Sequence, residues 1–512
     1  MLVNNMKALF INPHKLIPRS FSLTQRPSPP LGLAYIAGAV EKQGFHVTVI
    51  DCVAEAPDHY FLFDDYEDIL ALGIGFEEMF DKLDTDYDLI GMSCMFSNNW
   101  LINRYLLNLL KQHYPEAVVI IGGEHASPIP EYCLNDCDGL DIVVTGEGEE
   151  TISELAMLLK EKKSFNNIDG IVYKVRGAEK NVISNPRRKR IKEINAIAPP
   201  AWHLFPLQKY FDNNISYGIA YGRSLPITAT RGCPYECTFC SSPQMWSTKY
   251  TVRSMENVIA EIKYLNATFG ITNFDFYDLT LIITESWILD FCAAVKREGL
   301  KITWQIPAGT RSEAITSEVA MALKDSGCKN ISYAPETGSK KMLAAIKKKI
   351  TIPKILNSID QSYKAGLDIK LNMMIGYPDE RISDIFKTYL FLIKASYYGA
   401  TDATPTMFNP YPGTCLFDEL LKRNEINLSD DFFKKIVFSQ SLHHLNNYNR
   451  YYSKPLMIFL LFLGYLFFYG SNYIFRPLRM LRLFINVATH NYQTRGEYML
   501  GEIIKRSGRR QE

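Results

Sequence analysis

The sequence predicts an α/β protein in three stretches: a Rossmann-like, doubly wound sheet, then a partial (β/α)6 barrel, then a helical C-terminal region. Three observations predict it. Short apolar runs alternate with longer periodic runs over roughly the first 185 residues, the pattern of a parallel sheet with helices between its strands. The alternation resumes at Leu225 and gives six strand candidates. Beyond Ser429 it stops, and aromatic and long aliphatic residues take over. A chain of 512 residues, 47% of them apolar, can fill about two to four cores. The predicted boundaries are 1–184 for the sheet domain, 185–220 for a linker, 221–425 for the barrel and 426–512 for the helical region, with an apolar segment at 455–475.

In the first stretch the strand candidates are Lys7 to Ile11, His46 to Asp51, Leu89 to Ser93, Ala117 to Ile121 and Ile142 to Thr145. Helices are predicted at Leu31 to Gln43, Asn98 to His113 and Thr151 to Lys160. Ligands in such sheets bind beyond the carboxyl ends of the strands. Two glycine-rich runs fall there, Gly122-Gly123-Glu124-His125 and Gly146-Glu147-Gly148-Glu149. Glycine lets the backbone approach a bulky ligand closely, although tight turns alone also call for it. Gly170 to Lys174 and Asn181 to Ser184 suggest a hairpin. The basic run Asn185-Pro-Arg-Arg-Lys-Arg190 and the prolines at 199 and 200 read as a solvated connector, the alternative being that the basic run touches a nucleotide tail or an acidic partner.

The barrel strands are predicted at Leu225 to Thr230, Asn273 to Tyr277, Ile302 to Ile306, Asn330 to Ala334, Asp368 to Met374 and Thr404 to Phe408. Chemistry in parallel barrels gathers at the carboxyl ends, which makes Asp278, Arg311, Glu336 and Asn372 candidates by position. Directly after the first barrel strand lies Thr230-Arg-Gly-Cys233-Pro-Tyr-Glu-Cys237-Thr-Phe-Cys240. Three thiolates at this spacing can hold a [4Fe-4S] cube and leave its fourth iron open to a ligand. A zinc site would want a fourth Cys or His nearby, and none is there.

This run resembles the signature of the radical S-adenosylmethionine superfamily, with Arg231-Gly232 and Phe239 adding to the match. The resemblance implies that Cys233, Cys237 and Cys240 ligate the cluster and that Phe239 packs beside the adenine. The open iron would chelate S-adenosylmethionine, and one-electron reduction would cleave it to a deoxyadenosyl radical. Tyr333-Ala-Pro-Glu336-Thr-Gly-Ser339 resembles the family's Glu-Ser-Gly-Ser segment, so Glu336 would face the S-adenosylmethionine, or else serve the helix that follows. Arg311 would pair with the methionine carboxylate or form a salt bridge at the barrel rim. Gly376-Tyr-Pro-Asp379-Glu380 resembles a family turn in which glycine stands in place of Asp379. Asn409-Pro-Tyr-Pro-Gly-Thr414 resembles the barrel-closing segment of the anaerobic oxidative cyclases and hopanoid methylases.

A second resemblance lies in Pro29-Pro-Leu-Gly-Leu-Ala-Tyr35 and the two glycine-rich runs, which look like the cobalamin-binding domain fused to many radical S-adenosylmethionine enzymes. It implies cobalamin, with Ser93, Gly122, Gly123, Gly146, Glu147 and Gly148 near the corrin or its nucleotide tail. The chain has no Asp-x-His-x-x-Gly run, so His125 reads as a satisfied loop histidine rather than a cobalt ligand.

Net charge is +1, which argues against broad nucleic-acid binding. The cluster motif and the lack of a secretory segment at Met1 to Leu9 point to a reducing cytoplasm without disulfides. Cys52, Cys94, Cys292 and Cys328 and the pair Cys133 and Cys137 are expected to be packing thiols, and Cys415 is expected to be a buried thiol, or else to face the active site. Pro455 to Phe475 reaches the about 20 residues a bilayer span needs, and Arg476 to Phe484 is basic and amphipathic. Peripheral membrane contact, a buried helical cap and a true span all remain open. The function expected is cobalamin-dependent methyl transfer to an unactivated carbon of a small, hydrophobic or lipid-like molecule, with flavodoxin or ferredoxin as electron donor. The alternative is a radical oxidoreductase or cyclase of the same family, with or without cobalamin.

Overall fold

Val118–Gly122 reads Val-Val-Ile-Ile-Gly and Lys7–Asn12 is buried along its middle, as strands covered on both faces by helices must be. The computed structural model describes residues 6–19, 27–63, 66–175, 182–311, 313–439 and 445–494, with 496–497, 500–501 and 504. Asn181, the predicted start of a hairpin strand, lies outside the described residues.

The chain forms two units. The first comprises Met1–Ile215, Gly232–Thr251 and Pro410–His444. Its main sheet runs in the order Val182–Ser184, Ile171–Lys174, Ile142–Val144, Val118–Gly122, Leu89–Ser93, Lys7–Asn12 and His46–Asp51. The last five are parallel, and the first two form the predicted hairpin as an antiparallel edge. All five parallel strands begin and end within about two residues of their predicted bounds. A small antiparallel sheet of Lys15–Pro18, Tyr66–Leu72 and Tyr60–Phe63 was not foreseen, because its aromatic strands lack the spacing of strand–helix units.

The second unit comprises Ser216–Arg231, Val252–Asn409 and Leu445–Glu512. Its six strands, Ser224–Ile227, Asn273–Phe276, Thr303–Thr310, Cys328–Glu336, Asp368–Ile375 and Asp402–Met407, are parallel and neighbour one another in chain order. In Asp368–Ile375 fully buried residues alternate with partly exposed ones, the period of a strand with two different faces. Helix punctuation is local: Met255–Phe269 opens with the Ser254 side chain accepting from Asn257 N and closes on Gly270 in the left-handed conformation. The helices Lys454–Phe475 and Leu478–Ala488 follow in the same unit.

Candidate functional site

Gly232 sets the start of the cysteine loop. Its φ is +85° and a Cβ there would lie 2.1 Å from the Lys249 carbonyl oxygen, so only glycine fits. Cys233, Cys237 and Cys240 follow, all partly exposed, and the Cys240 amide donates to the Cys237 carbonyl at 3.1 Å. Burial pushes the Cys240 thiol up to about 11, so taking up iron there must displace a proton. Among the described residues no three His, Cys, Asp or Glu side chains converge on one point as a single metal ion requires. A cubane asks for something else: each thiolate binds its own iron at a separate corner, and three reachable thiols on one loop fit that need.

Within the same unit the cysteine loop is tied to the sheet's carboxyl ends. Glu124, directly after Gly122-Gly123, accepts hydrogen bonds from Ser241 Oγ at 2.6 Å and Trp246 Nε1 at 3.0 Å. Ser242 Oγ lies 3.1 Å from Cys240 Sγ. The Leu416 amide donates to the Thr238 carbonyl at 3.0 Å, and a Cβ at Gly413 would press on Pro128, so the Pro-Tyr-Pro-Gly-Thr turn seats beside this loop.

The basic run is not the solvated connector expected. Arg187 donates to the Met245 carbonyl at 2.8 Å and Arg188 pairs with Glu154. Arg190 donates to Glu147 Oε2 at 2.5 Å and to the Lys249 carbonyl at 3.0 Å, with its guanidinium 5.3 Å from the Trp246 ring centre. Carbonyl oxygens at the end of a short helix gather these forked donors, which composition alone does not reveal. Glu147 also accepts from the Ile191 amide at 3.0 Å, so its carboxylate holds the run from Arg187 to Ile191, a strap on this unit, rather than lying open to a ligand.

The other predicted positions in this unit surround the strand ends. Ser93 and Gly122 close neighbouring strands and stand in register. Gly123, at φ +129°, would place a Cβ 2.6 Å from the Cys94 carbonyl, so here the turn itself demands glycine. Gly146, also left-handed, would meet only the Met245 carbonyl at 3.9 Å, and Gly148 packs on Ile36. Met95 and Phe96, just past Ser93, are 42% and 64% exposed, an apolar surface that suits a corrin ring. His125 is buried, with Nδ1 2.9 Å from Ser97 Oγ, and burial lowers its pKa to about 3, as befits a core histidine. Cys133 and Cys137 are buried as expected. Cys415 is exposed, contrary to expectation: it opens a helix capped by Thr414, whose buried face is Phe417 and Leu420.

In the second unit Asp278 is buried and accepts from the amides of Ala229 and Thr230, with burial raising its pKa to about 6. It fixes the backbone that leads into the cysteine loop. Glu336 is buried at φ +66°, a strained conformation for a non-glycine residue, and accepts from Lys348 Nζ at 2.9 Å. Ser339, not Glu336, caps the helix Lys340–Ala345. Arg311 forms a two-pronged pair with Glu313, the salt bridge the sequence left open. Phe239 is partly exposed on the cysteine loop.

A doubly wound sheet with a three-thiol loop bound to its carboxyl ends, in a chain that also folds six parallel barrel strands, defines a two-domain cluster enzyme. Comparison with known proteins agrees. The B12 binding domain family matches residues 24–156 and the Radical SAM superfamily matches residues 227–392. An uncharacterised methyltransferase of Pyrococcus horikoshii is 30% identical over 397 residues, covering 77% of this chain and 79% of that protein. An anaerobic magnesium-protoporphyrin IX monomethyl ester cyclase of Cereibacter sphaeroides is 24% identical over 83% of this chain and 67% of its own length. The solved structure of the radical S-adenosylmethionine methyltransferase TsrM from Kitasatospora setae shares the fold, with TM-score 0.62 and 17% identity over 82% of this chain and 75% of that one. The chain belongs to the cobalamin-binding radical S-adenosylmethionine enzymes, whose cofactors are a [4Fe-4S] cluster, S-adenosylmethionine and cobalamin.

Proposed function

We propose that the protein methylates an unactivated carbon of a small, hydrophobic, lipid-like molecule, taking the methyl group from S-adenosylmethionine by way of cobalamin. The observation that carries this reading is the Glu124 clamp, which ties the loop bearing Cys233, Cys237 and Cys240 to the sheet end bearing Gly122 and Gly123. When bound, the cluster supplies reductive cleavage of S-adenosylmethionine and cobalamin supplies the methyl group.

This chain's residues prepare the setting. Cys233, Cys237 and Cys240 hold the cluster, and Phe239 lies beside the adenine. Glu336, pinned by Lys348, accepts from the ammonium or ribose groups of S-adenosylmethionine. Arg311, whose Nε and Nη2 are paired with Glu313, is the residue proposed to meet the methionine carboxylate. Ser93, Gly122, Gly123, Gly146 and Gly148 border the corrin, and Glu147 supports them through Arg190. The domain limits proposed are 1–184, 221–425 and 426–512, with 185–220 as a linker in the sequence. A reductase of flavodoxin or ferredoxin type supplies the electron. The protein works in a reducing cytoplasm and contacts the membrane surface.

The test is cofactor content after anaerobic reconstitution and gel filtration. Roughly four irons with one cobalamin per chain are expected. Iron without cobalamin would favour the alternative, a radical oxidoreductase or cyclase, which the 24% identical cyclase keeps in view.

A further inference from the structure

The helix Lys454–Phe475 is long and apolar enough to cross a membrane, yet only 28% of its apolar window is buried. Its inner edge is held by protein along its length: Tyr389 Oη donates to the Leu460 carbonyl, Tyr465 Oη to the Pro405 carbonyl at 2.8 Å, and Asn472 Nδ2 to the Ala400 carbonyl at 2.7 Å. A helix so held cannot leave the barrel unit to span a bilayer without stranding those groups in hydrocarbon. Its outer edge carries Phe459 at 57%, Leu466 at 64% and Ile474 at 78% exposure. The next helix, Leu478–Ala488, exposes Leu478, Leu481 and Phe484. The surface continues onto the helix Ile382–Tyr398, where Leu390 is exposed and Tyr397 meets Phe475 edge-on, ring centres 5.4 Å apart. A contiguous apolar face of this kind on one unit marks an interaction surface.

Charge says what covers it. From Leu445 to Gly496 the chain has six Lys or Arg and no Asp or Glu. The one acidic residue of Ile382–Tyr398, Asp384, is buried, while Lys387 and Lys394 are exposed. Arg476 and Arg479 are spent on backbone carbonyls of residues 396–400 and Arg482 lies 3.9 Å from Asp368, while Lys454 remains exposed beside the apolar residues. An apolar face with cations and no exposed carboxylates is what an anionic leaflet attracts.

We propose that the helices Ile382–Tyr398, Lys454–Phe475 and Leu478–Ala488 form a monotopic docking face that lies in the headgroup region of an anionic bilayer without crossing it. This deepens the membrane part of the proposed function and is independent of its chemistry.

The test is co-sedimentation of the full-length, reconstituted protein with vesicles of phosphatidylglycerol and phosphatidylethanolamine, and with vesicles of phosphatidylcholine alone. Binding to the anionic vesicles is expected to weaken in high salt. It should fall at least tenfold in Leu466→Glu/Leu481→Glu, with cofactor content and S-adenosylmethionine cleavage unchanged. Leu478→Glu, changing one exposed side chain, guards against a misfolded double variant and should lower binding in the same direction. Four results would overturn the proposal: no binding, binding indifferent to these substitutions, a soluble dimer that they disperse, or vesicle-bound protein resistant to alkaline carbonate. The third would assign the face to a second copy of the chain and the fourth to a true span.

Discussion

The carboxylate of Glu124 accepts from Ser241 Oγ at 2.6 Å and so joins the loop after the strand Val118–Gly122 to the loop that carries the three cysteines. Trp246 Nε1 takes the other carboxylate oxygen. In Glu124→Ala both donors lose their acceptor, a penalty of about 1–3 kcal/mol that falls on the ordering of the cysteine loop. The variant should retain less iron after gel filtration and show a broadened electron paramagnetic resonance signal from the reduced cluster. Glu124→Gln, which keeps one acceptor, should recover part of both. Wild-type iron and an unchanged signal in the alanine variant would remove the clamp from the account.

Arg190 and Glu147 form a pair whose side chains are 10% and 3% exposed. Removing one partner leaves the other charge buried, which typically costs about 3–5 kcal/mol. Arg190→Ala should therefore lower stability by about that amount in denaturant titration, and Arg190→Lys, lacking the fork, should recover only part. A loss below about 1 kcal/mol would mean that the strap is peripheral to stability.

His125 is buried with its Nδ1 2.9 Å from Ser97 Oγ, and the expectation that follows is that it takes no part in binding cobalt. Cobalamin-loaded protein reduced to the Co(II) state should give the same paramagnetic resonance spectrum in the wild type and in His125→Gln. Loss of nitrogen hyperfine splitting in the variant would make His125 a ligand.

Glu380 is buried and accepts from the Gly376 amide at 2.6 Å, while burial raises its pKa to about 8. The folded state therefore holds a proton that the unfolded state releases above about 4.5. This contribution is complete below about pH 4.5 and is lost as pH rises through about 8. The melting temperature should fall between pH 6 and pH 9, and Glu380→Gln should flatten that fall. An identical slope in the variant would place the titration elsewhere.

Much of this was legible in the sequence wherever a period or a spacing carried it. The parallel strands announced themselves by apolar runs at regular intervals, and the three cysteines by their spacing. What escaped were pairings between side chains distant in sequence. Glu124 stood in view inside Gly-Gly-Glu-His, but its partners Ser241 and Trp246 lie more than a hundred residues on. Arg187 and Arg190 looked solvated because a basic run by itself does not show the carbonyl oxygens it will meet. Cys415 looked buried because a lone thiol usually is, whereas its place at the first turn of a capped helix turned it outward. The apolar tail was readable as a helix but not in its orientation, which depends on hydrogen bonds to the Leu460, Pro405 and Ala400 carbonyls.

Methyl transfer itself is tested most directly by anaerobic turnover of the fully loaded protein with methyl-labelled S-adenosylmethionine and extracted membrane lipids. The account predicts 5′-deoxyadenosine and S-adenosylhomocysteine in equal amounts, with the label in a lipid fraction. Deoxyadenosine formed with that substrate and no S-adenosylhomocysteine would contradict it.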